Sequence, residues 1–394
     1  MQKVLLKNVA DIAISNVDKK LKDSEIPVIL CNFTDVYYNW SITKEKCRQF
    51  MRATATNNEI EKFIIRQGDV AITKDSETRD DIGVSTYFDS ISNDVLLGYH
   101  CALIRPNKSY LNGAYLNALL NTSYAKKYFA YNASGSGQRF SLSIDSINNF
   151  PIELPSLSVQ LRITNILGTI DKKIEICKKM IKILDQHLTE LFDYKYLAYK
   201  DYKLVWNDKM NKFVPEGWQV FQLGELFSFV KGKIPTILQE IQDKICDSVY
   251  LTIDAVNGGK EMYCSSKNMP HSKGNVLMVM DGAASGDVYV GYDGVVGSTF
   301  CMLETKQQFV SNSFLYQILT RYSANYKKTN VGSTVPHANK DYIQTMLIAL
   351  PTKIDSQFDF FRYKIIKLTK QIKKLQELRN YLLPLLMNGQ VTVQ

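Results

Sequence analysis

Asp145-Ser146-Ile147-Asn148-Asn149-Phe150-Pro151-Ile152-Glu153-Leu154-Pro155 returns 196 residues later as Asp341-Tyr342-Ile343-Gln344-Thr345-Met346-Leu347-Ile348-Ala349-Leu350-Pro351. Asp, two Ile, Leu and Pro coincide. A repeat of such long period marks a duplicated structural unit. Earlier segments agree. Gln67-Gly68-Asp69-Val70-Ala71-Ile72-Thr73-Lys74-Asp75 resembles Lys273-Gly274-Asn275-Val276-Leu277-Met278-Val279-Met280-Asp281, and Cys101-Ala102-Leu103 resembles Cys301-Met302-Leu303. Each half therefore reads as a mixed globular head, then Leu-Pro, then a long helix. The expected division is a first head over 1–153, a helical region over 154–205, a second head over 206–349 and a second helical region over 350–394.

Both helical regions carry apolar residues at steps of three and four. In the first these include Ile166, Ile170, Ile174, Ile181, Leu184 and Leu188. In the second they include Ile365, Leu368, Ile372, Leu375, Leu378 and Leu382. Such a seam needs a partner helix. The simplest closure is that the two helices pack antiparallel as a stiff spacer. About 30 helical residues extend roughly 45 Å. The heads read as α+β. Strand-like runs are Lys62-Phe63-Ile64-Ile65 and Asn275–Met280, and Asp287–Val296 reads as a hairpin with an Asp-Gly turn. Helices are expected over 113–128 and 313–326.

Composition narrows the classes. Hydrophobic residues make up 45% of the 394 and charged ones 22%, so the chain can bury cores and is not disordered by composition. No apolar run approaches the roughly 18 residues of a membrane span. The opening Met1-Gln2-Lys3-Val4-Leu5-Leu6-Lys7 lacks the apolar block of a secretory leader. Seven scattered cysteines, with no C-x-x-C pair, suggest free thiols in a reducing cytoplasm. The four histidines show no metal-ligand spacing, so no metal site is expected. The formal charge of +9 is uneven, with +5 in residues 351–394 and a near-neutral balance in each head. Charge alone thus supports a polyanion partner only weakly.

No catalytic signature stands out. There is no phosphate loop, no dinucleotide-binding glycine motif and no tetrad of an amino-methyltransferase. Ser285 lacks the first glycine of a nucleophile elbow. The heads instead carry polar loops at corresponding places. The candidates for base or phosphate contact are Lys74, Arg79, Gln138 and Arg139 in the first head. In the second they are Lys231, Lys233, Ser285, Ser333, His337, Asn339 and Lys340. Arg, Lys, Gln, Asn and Ser read base edges and hold phosphates.

Ile152-Glu153-Leu154-Pro155 with Gln160, Ile166, Ile170, Asp171, Leu184, Leu188 and Leu191, echoed by Leu350-Pro351, Gln357, Leu378, Leu382-Leu383, Leu385-Leu386 and Gly389, resembles the DNA specificity subunit of type I restriction-modification systems. Val214-Pro215-Glu216-Gly217-Trp218 through Leu226, then Val230-Lys231-Gly232, is similar to the opening of that family's target-recognition domain. The first head departs from this pattern, since Leu6–Ala13 lacks the Gly-Trp entry. The resemblance covers essentially the whole chain.

The resemblance implies a chain that makes and breaks no bonds. Each head would read one half of a bipartite duplex DNA site, and the helices would set the gap. Two methyltransferase subunits would bring S-adenosylmethionine and methylate adenine N6. Two restriction subunits would bring ATP and Mg2+. The setting would be the cytoplasm of a bacterium or archaeon. The competing reading is a bilobal scaffold whose helices recruit proteins.

Overall fold

The computed structural model describes residues 2–331 and 336–391. The chain divides into two compact units. One comprises Met1–Glu175 with Lys373–Gln394, and the other Ile176–Ile372. This cuts across the division expected from sequence, because neither long helix forms a unit by itself. Each unit contains one head with a length of both helices.

In the first unit the main sheet runs Ala10–Ile14, Cys101–Pro106, Val70–Thr73, Ser85–Phe88, Ser41–Ile42 in spatial order. Its centre is antiparallel, with Cys101 opposite Thr73 and Ile104 opposite Val70. Val70–Thr73 is buried on both faces. Val70 and Ile72 join one core with Leu116, Phe129 and Phe150, while Ala71 joins another with Phe88 and Leu97. A strand covered on both sides reads as a continuous apolar run rather than an alternation. A smaller sheet holds Met51–Ala55, Ile26–Cys31 and Val95–Leu97. Gln2–Leu5 pairs with Pro151–Leu154, which leads into the first long helix.

The second unit repeats this plan. Phe227–Lys231, Phe300–Thr305, Val276–Val279 and Val288–Tyr289 form the main sheet. Tyr263–Cys264, Ser248–Leu251, Asp293–Val296 and His271–Lys273 form the second. In each head one pair of the smaller sheet is parallel, Ile26–Cys31 with Val95–Leu97 and Ser248–Leu251 with Asp293–Val296. Gln219–Gln222 pairs with Leu347–Leu350, as Gln2–Leu5 pairs with Pro151–Leu154.

Three local expectations are corrected. Lys62-Phe63 ends the helix Asn57–Phe63, and Ile64 makes only an isolated bridge to Leu96. Thr56 caps that helix, and its capping box with Glu59 outweighs the β-branched run that follows. Asp287–Val296 is not a hairpin. Val288–Tyr289 pairs with Val276–Val279, and Asp293–Val296 pairs in the other sheet. The helix expected over 113–128 is two, Gly113–Leu120 and Ser123–Asn132, because Thr122 caps the second.

The long helices are Leu157–Phe192 and Gln357–Met387. In the first unit Ile163 and Leu167 share a core with Leu383 and Leu386, and Asp171 accepts from Arg379 Nη1 at 2.9 Å. In the second unit Asp185 meets Arg362 at 3.0 Å, the His187 ring meets Phe361, and Asp355 accepts from Lys195. Numbers rise on one helix as they fall on the other, so the helices run antiparallel in each unit. Ile170, Ile174, Leu188 and Ile365 are buried, and Ile166, Ile181, Leu184, Leu368, Ile372, Leu375 and Leu382 are half-buried.

Leu378 departs from the expected seam, being 44% exposed. Arg379 takes the inward place and Leu383 follows it. Counting only apolar side chains put the stripe through Leu378, because a charged residue in the seam was invisible to that count. Arg362 is likewise only 5% exposed. The guanidinium of Arg379 lies 4.4 Å from the Trp40 ring centre, and that of Arg362 lies 4.4 Å from Tyr316. Burial pushes the Asp171 carboxyl above its usual range, although Arg379 pulls it down. Leu383→Ala is expected to cost about 2–5 kcal/mol, and Leu378→Ala to stay within about 0.5 kcal/mol. Chemical denaturation of the two variants checks this, and equal losses would contradict the seam.

Candidate nucleic-acid interface

In the first head the expected polar loop is a small sheet. Ser134–Ser136 and Arg139–Ser141 form a hairpin, and its second strand pairs with Asp75–Ser76. Gly135 has φ +120°, and a Cβ there would meet the Arg139 carbonyl oxygen at 2.1 Å. Only glycine fits. The two-residue turn is Gly137-Gln138, with positive φ at its first position, as a type II′ turn requires. This pairing brings the two candidate segments of this head together. Arg79 lies over the Phe140 ring at 5.1 Å, and Lys74 Nζ reaches Asp75 Oδ2 at 2.8 Å. Gln138 and Arg139 are exposed at the hairpin's end.

Asp75 is the hub. It receives Lys74, His100 Nδ1 and the Ser141 side chain. Burial would raise its carboxyl, but these hydrogen bonds together outweigh burial and hold it below the usual range. His100 sits at φ 73°, a left-handed backbone that non-glycine residues seldom adopt.

In the second head Lys231, Asp281, His337, Asn339 and Lys340 line one cleft. His337 Nδ1 meets Asp281 Oδ1 at 2.7 Å. Its backbone bridges both Asp281 and Val331. Lys340 Nζ stands 5.4 Å from the Phe229 ring centre. Burial pushes the Cys301 thiol up, while Lys340 and Lys231 oppose that shift.

Three of the expected contacts have other work. Ser285 is 2% exposed, and Asn330 Nδ2 donates to its Oγ at 2.6 Å, so it braces a turn. Lys233 points to the Asn268 carbonyl at 3.5 Å. Asn339 caps the helix Lys340–Thr345, as Ser143 caps Ile144–Asn148. Ser333 lies outside the described residues.

Sequence reasoning did not single out Asp75, Asp281, His100 or Ser141 as contacts. The signal was the repeat itself, which aligns Asp75 with Asp281 at the end of equivalent strands. Among the described residues no group of His, Cys, Asp and Glu could hold a metal, and no helix is long and apolar enough to cross a membrane. All seven cysteines are buried and unpaired.

The α+β head is built twice, each copy packed on a length of two antiparallel helices, and comparison with known proteins gives the family. The family described as the type I restriction modification DNA specificity domain matches residues 2–186 and 215–378. The chain belongs to that family. It is 22% identical over 355 residues to the putative type I restriction enzyme MjaX specificity subunit of Methanocaldococcus jannaschii, covering 85% of this chain and 81% of that protein. It is 27% identical over 177 residues to the MjaVIII specificity subunit of the same organism. That match spans 42% of this chain and 40% of the MjaVIII protein's own length. A crystal structure of a type I restriction-modification system S subunit from M. genitalium shares the fold. Its TM-score is 0.60 at 14% identity, over 98% of this chain and 95% of that one.

Removing either helix cap should cost about 1 kcal/mol. Ser143→Ala and Asn339→Ala are therefore expected to lower stability by similar amounts in thermal melts. An unchanged melt for Asn339→Ala would free that side chain for another role.

Proposed function

We propose that this chain is the DNA-recognition subunit of a type I restriction-modification complex. Each head reads one half of a bipartite duplex sequence, and the paired helices set the gap between the halves. One observation carries the reading. The same head is built twice, each time with an outward polar element next to the carboxylate that ends the same central strand. Basic and amide side chains gather there, as base and phosphate contact requires. A scaffold that binds only proteins would have no need of two such matched elements.

The chain itself makes and breaks no bonds in this reading. Two methyltransferase subunits supply S-adenosylmethionine and methylate adenine at N6. Two restriction subunits supply ATP and Mg2+ for translocation and cleavage. An exposed stripe supports helix-borne docking of the methyltransferases. Ile176, Met180 and Ile183 recur at steps of four and three and are 57%, 47% and 66% exposed. Apolar side chains left outward at helical spacing mark a contact surface.

The test is to express the chain with the methyltransferase encoded beside it and to sequence the host methylome. One asymmetric motif in two parts, with a fixed gap, is expected. A continuous motif, or none, would contradict the reading. Arg139→Ala should cost about 1–3 kcal/mol of binding and loosen one position of one half-site. Matched insertions of one helical turn after Glu175 and after Ile372 should change the gap and leave both half-sites intact. The same gap in that methylome would sink the ruler.

A further inference from the structure

We propose that each head touches DNA through a histidine clasped on its central-strand carboxylate. The pairs are His100 on Asp75 and His337 on Asp281, and each histidine offers Nε2 to a hydrogen-bonding atom of the duplex. The inference rests on the function proposed above and names contacts within it.

The two carboxylates correspond. Asp75 follows the strand Val70–Thr73 and Asp281 follows Val276–Val279, which hold the same place in equivalent sheets. The histidines do not correspond. His337 stands where the first head has Ser141, since each pairs in register with its carboxylate residue. The next residue confirms the match, with Leu142 N–H donating to the Lys74 carbonyl and Ala338 N–H to the Met280 carbonyl. The first head takes its histidine instead from the residue before the strand Cys101–Pro106. Lys74 N–H donates to the His100 carbonyl and Met280 N–H to the Thr299 carbonyl, so by strand pairing the second head has Thr299 there. Duplication copies a residue together with its position. Here the same pair is reached from two different segments, which points to a demand on the pair itself.

The geometry suits a contact. In both pairs Nδ1 faces the carboxylate. That fixes the ring and leaves Nε2 as the outward atom. Neither Nε2 has a partner within the chain among the described residues. The side chains are 35% and 50% exposed. The other two histidines differ. His271 spends Nε2 on Ser248 Oγ and has Nδ1 buried, and His187 packs edge-on against Phe361. A bare carboxylate would repel a polyanion. Lys74 covers Asp75, and Lys231 and Lys340 share the cleft with Asp281. His100 also holds a left-handed backbone, and such strain persists where the surroundings require it.

The recognised chemistry is a hydrogen-bonding atom of duplex DNA, on a base edge or a phosphate. The test uses the full chain with its methyltransferase and compares wild type, His100→Gln and His337→Gln by methylome sequencing and by titration of duplexes carrying the wild-type motif. If the atom is on a base, each variant accepts a second base at one position, and only in its own half-site. If it is on a phosphate, the motif stays intact while affinity falls about tenfold and the salt dependence weakens. An unchanged motif and affinity in both variants overturns the proposal. Blurring of both half-sites by one variant also counts against it, since that marks a folding defect. The His337 side chain is half exposed and its residue makes only isolated bridges, so its variant remains informative if His100→Gln fails to assemble. Wild type without any bipartite motif would sink the function, whereas a wild-type motif with silent variants sinks only the histidine contacts.

Discussion

Arg362 and Arg379 lie in the seam of the second long helix, where water is largely excluded. A guanidinium there needs a carboxylate at hydrogen-bond distance, or it destabilises the fold. Asp185 and Asp171 on the first long helix meet that need. Apolar side chains alone allow a helix pair to slide by a heptad at modest cost. A buried charge does not, because any other register strands it. Each arginine also lies on an aromatic ring of a head, Tyr316 or Trp40. The same residue thus ties helix to helix and helix to head, within each unit.

The heads solve a different problem. Their central strands are buried on both faces and leave little room for variation, so the strands common to both heads keep the same order and pairing, while edge strands differ. The elements beyond the strand ends are freer. One head closes the space after its central strand with a Gly-rich hairpin, the other with a short bridged segment and a cleft. The proposed reading of one half-site by each head suits this division, with a common frame and loops that differ.

The duplication, the α+β heads and the long helices were legible because they rest on period and spacing, which a linear sequence preserves. Leu378 misled because the seam was counted in apolar residues while Arg379 filled the inward place. Asp287–Val296 looked like a hairpin because Asp-Gly turns favour one, yet its halves found better partners in two separate sheets. The site was less legible. Ser285 and Asn339 have the right chemistry for DNA and are spent on a turn and a helix cap. Asp75 and His100 lie 25 positions apart and meet only when the strand Cys101–Pro106 pairs with Val70–Thr73.

The most direct test of this account is a double-mutant cycle on the more deeply buried pair. Stability would be measured by chemical denaturation for the wild type, Asp171→Ala, Arg379→Ala and the double variant. The account predicts a coupling of at least about 1 kcal/mol, with the double variant losing clearly less than the two single losses combined. Losses that add to within about 0.3–0.5 kcal/mol would mean the two side chains do not interact, and the register assigned to the helices would be wrong.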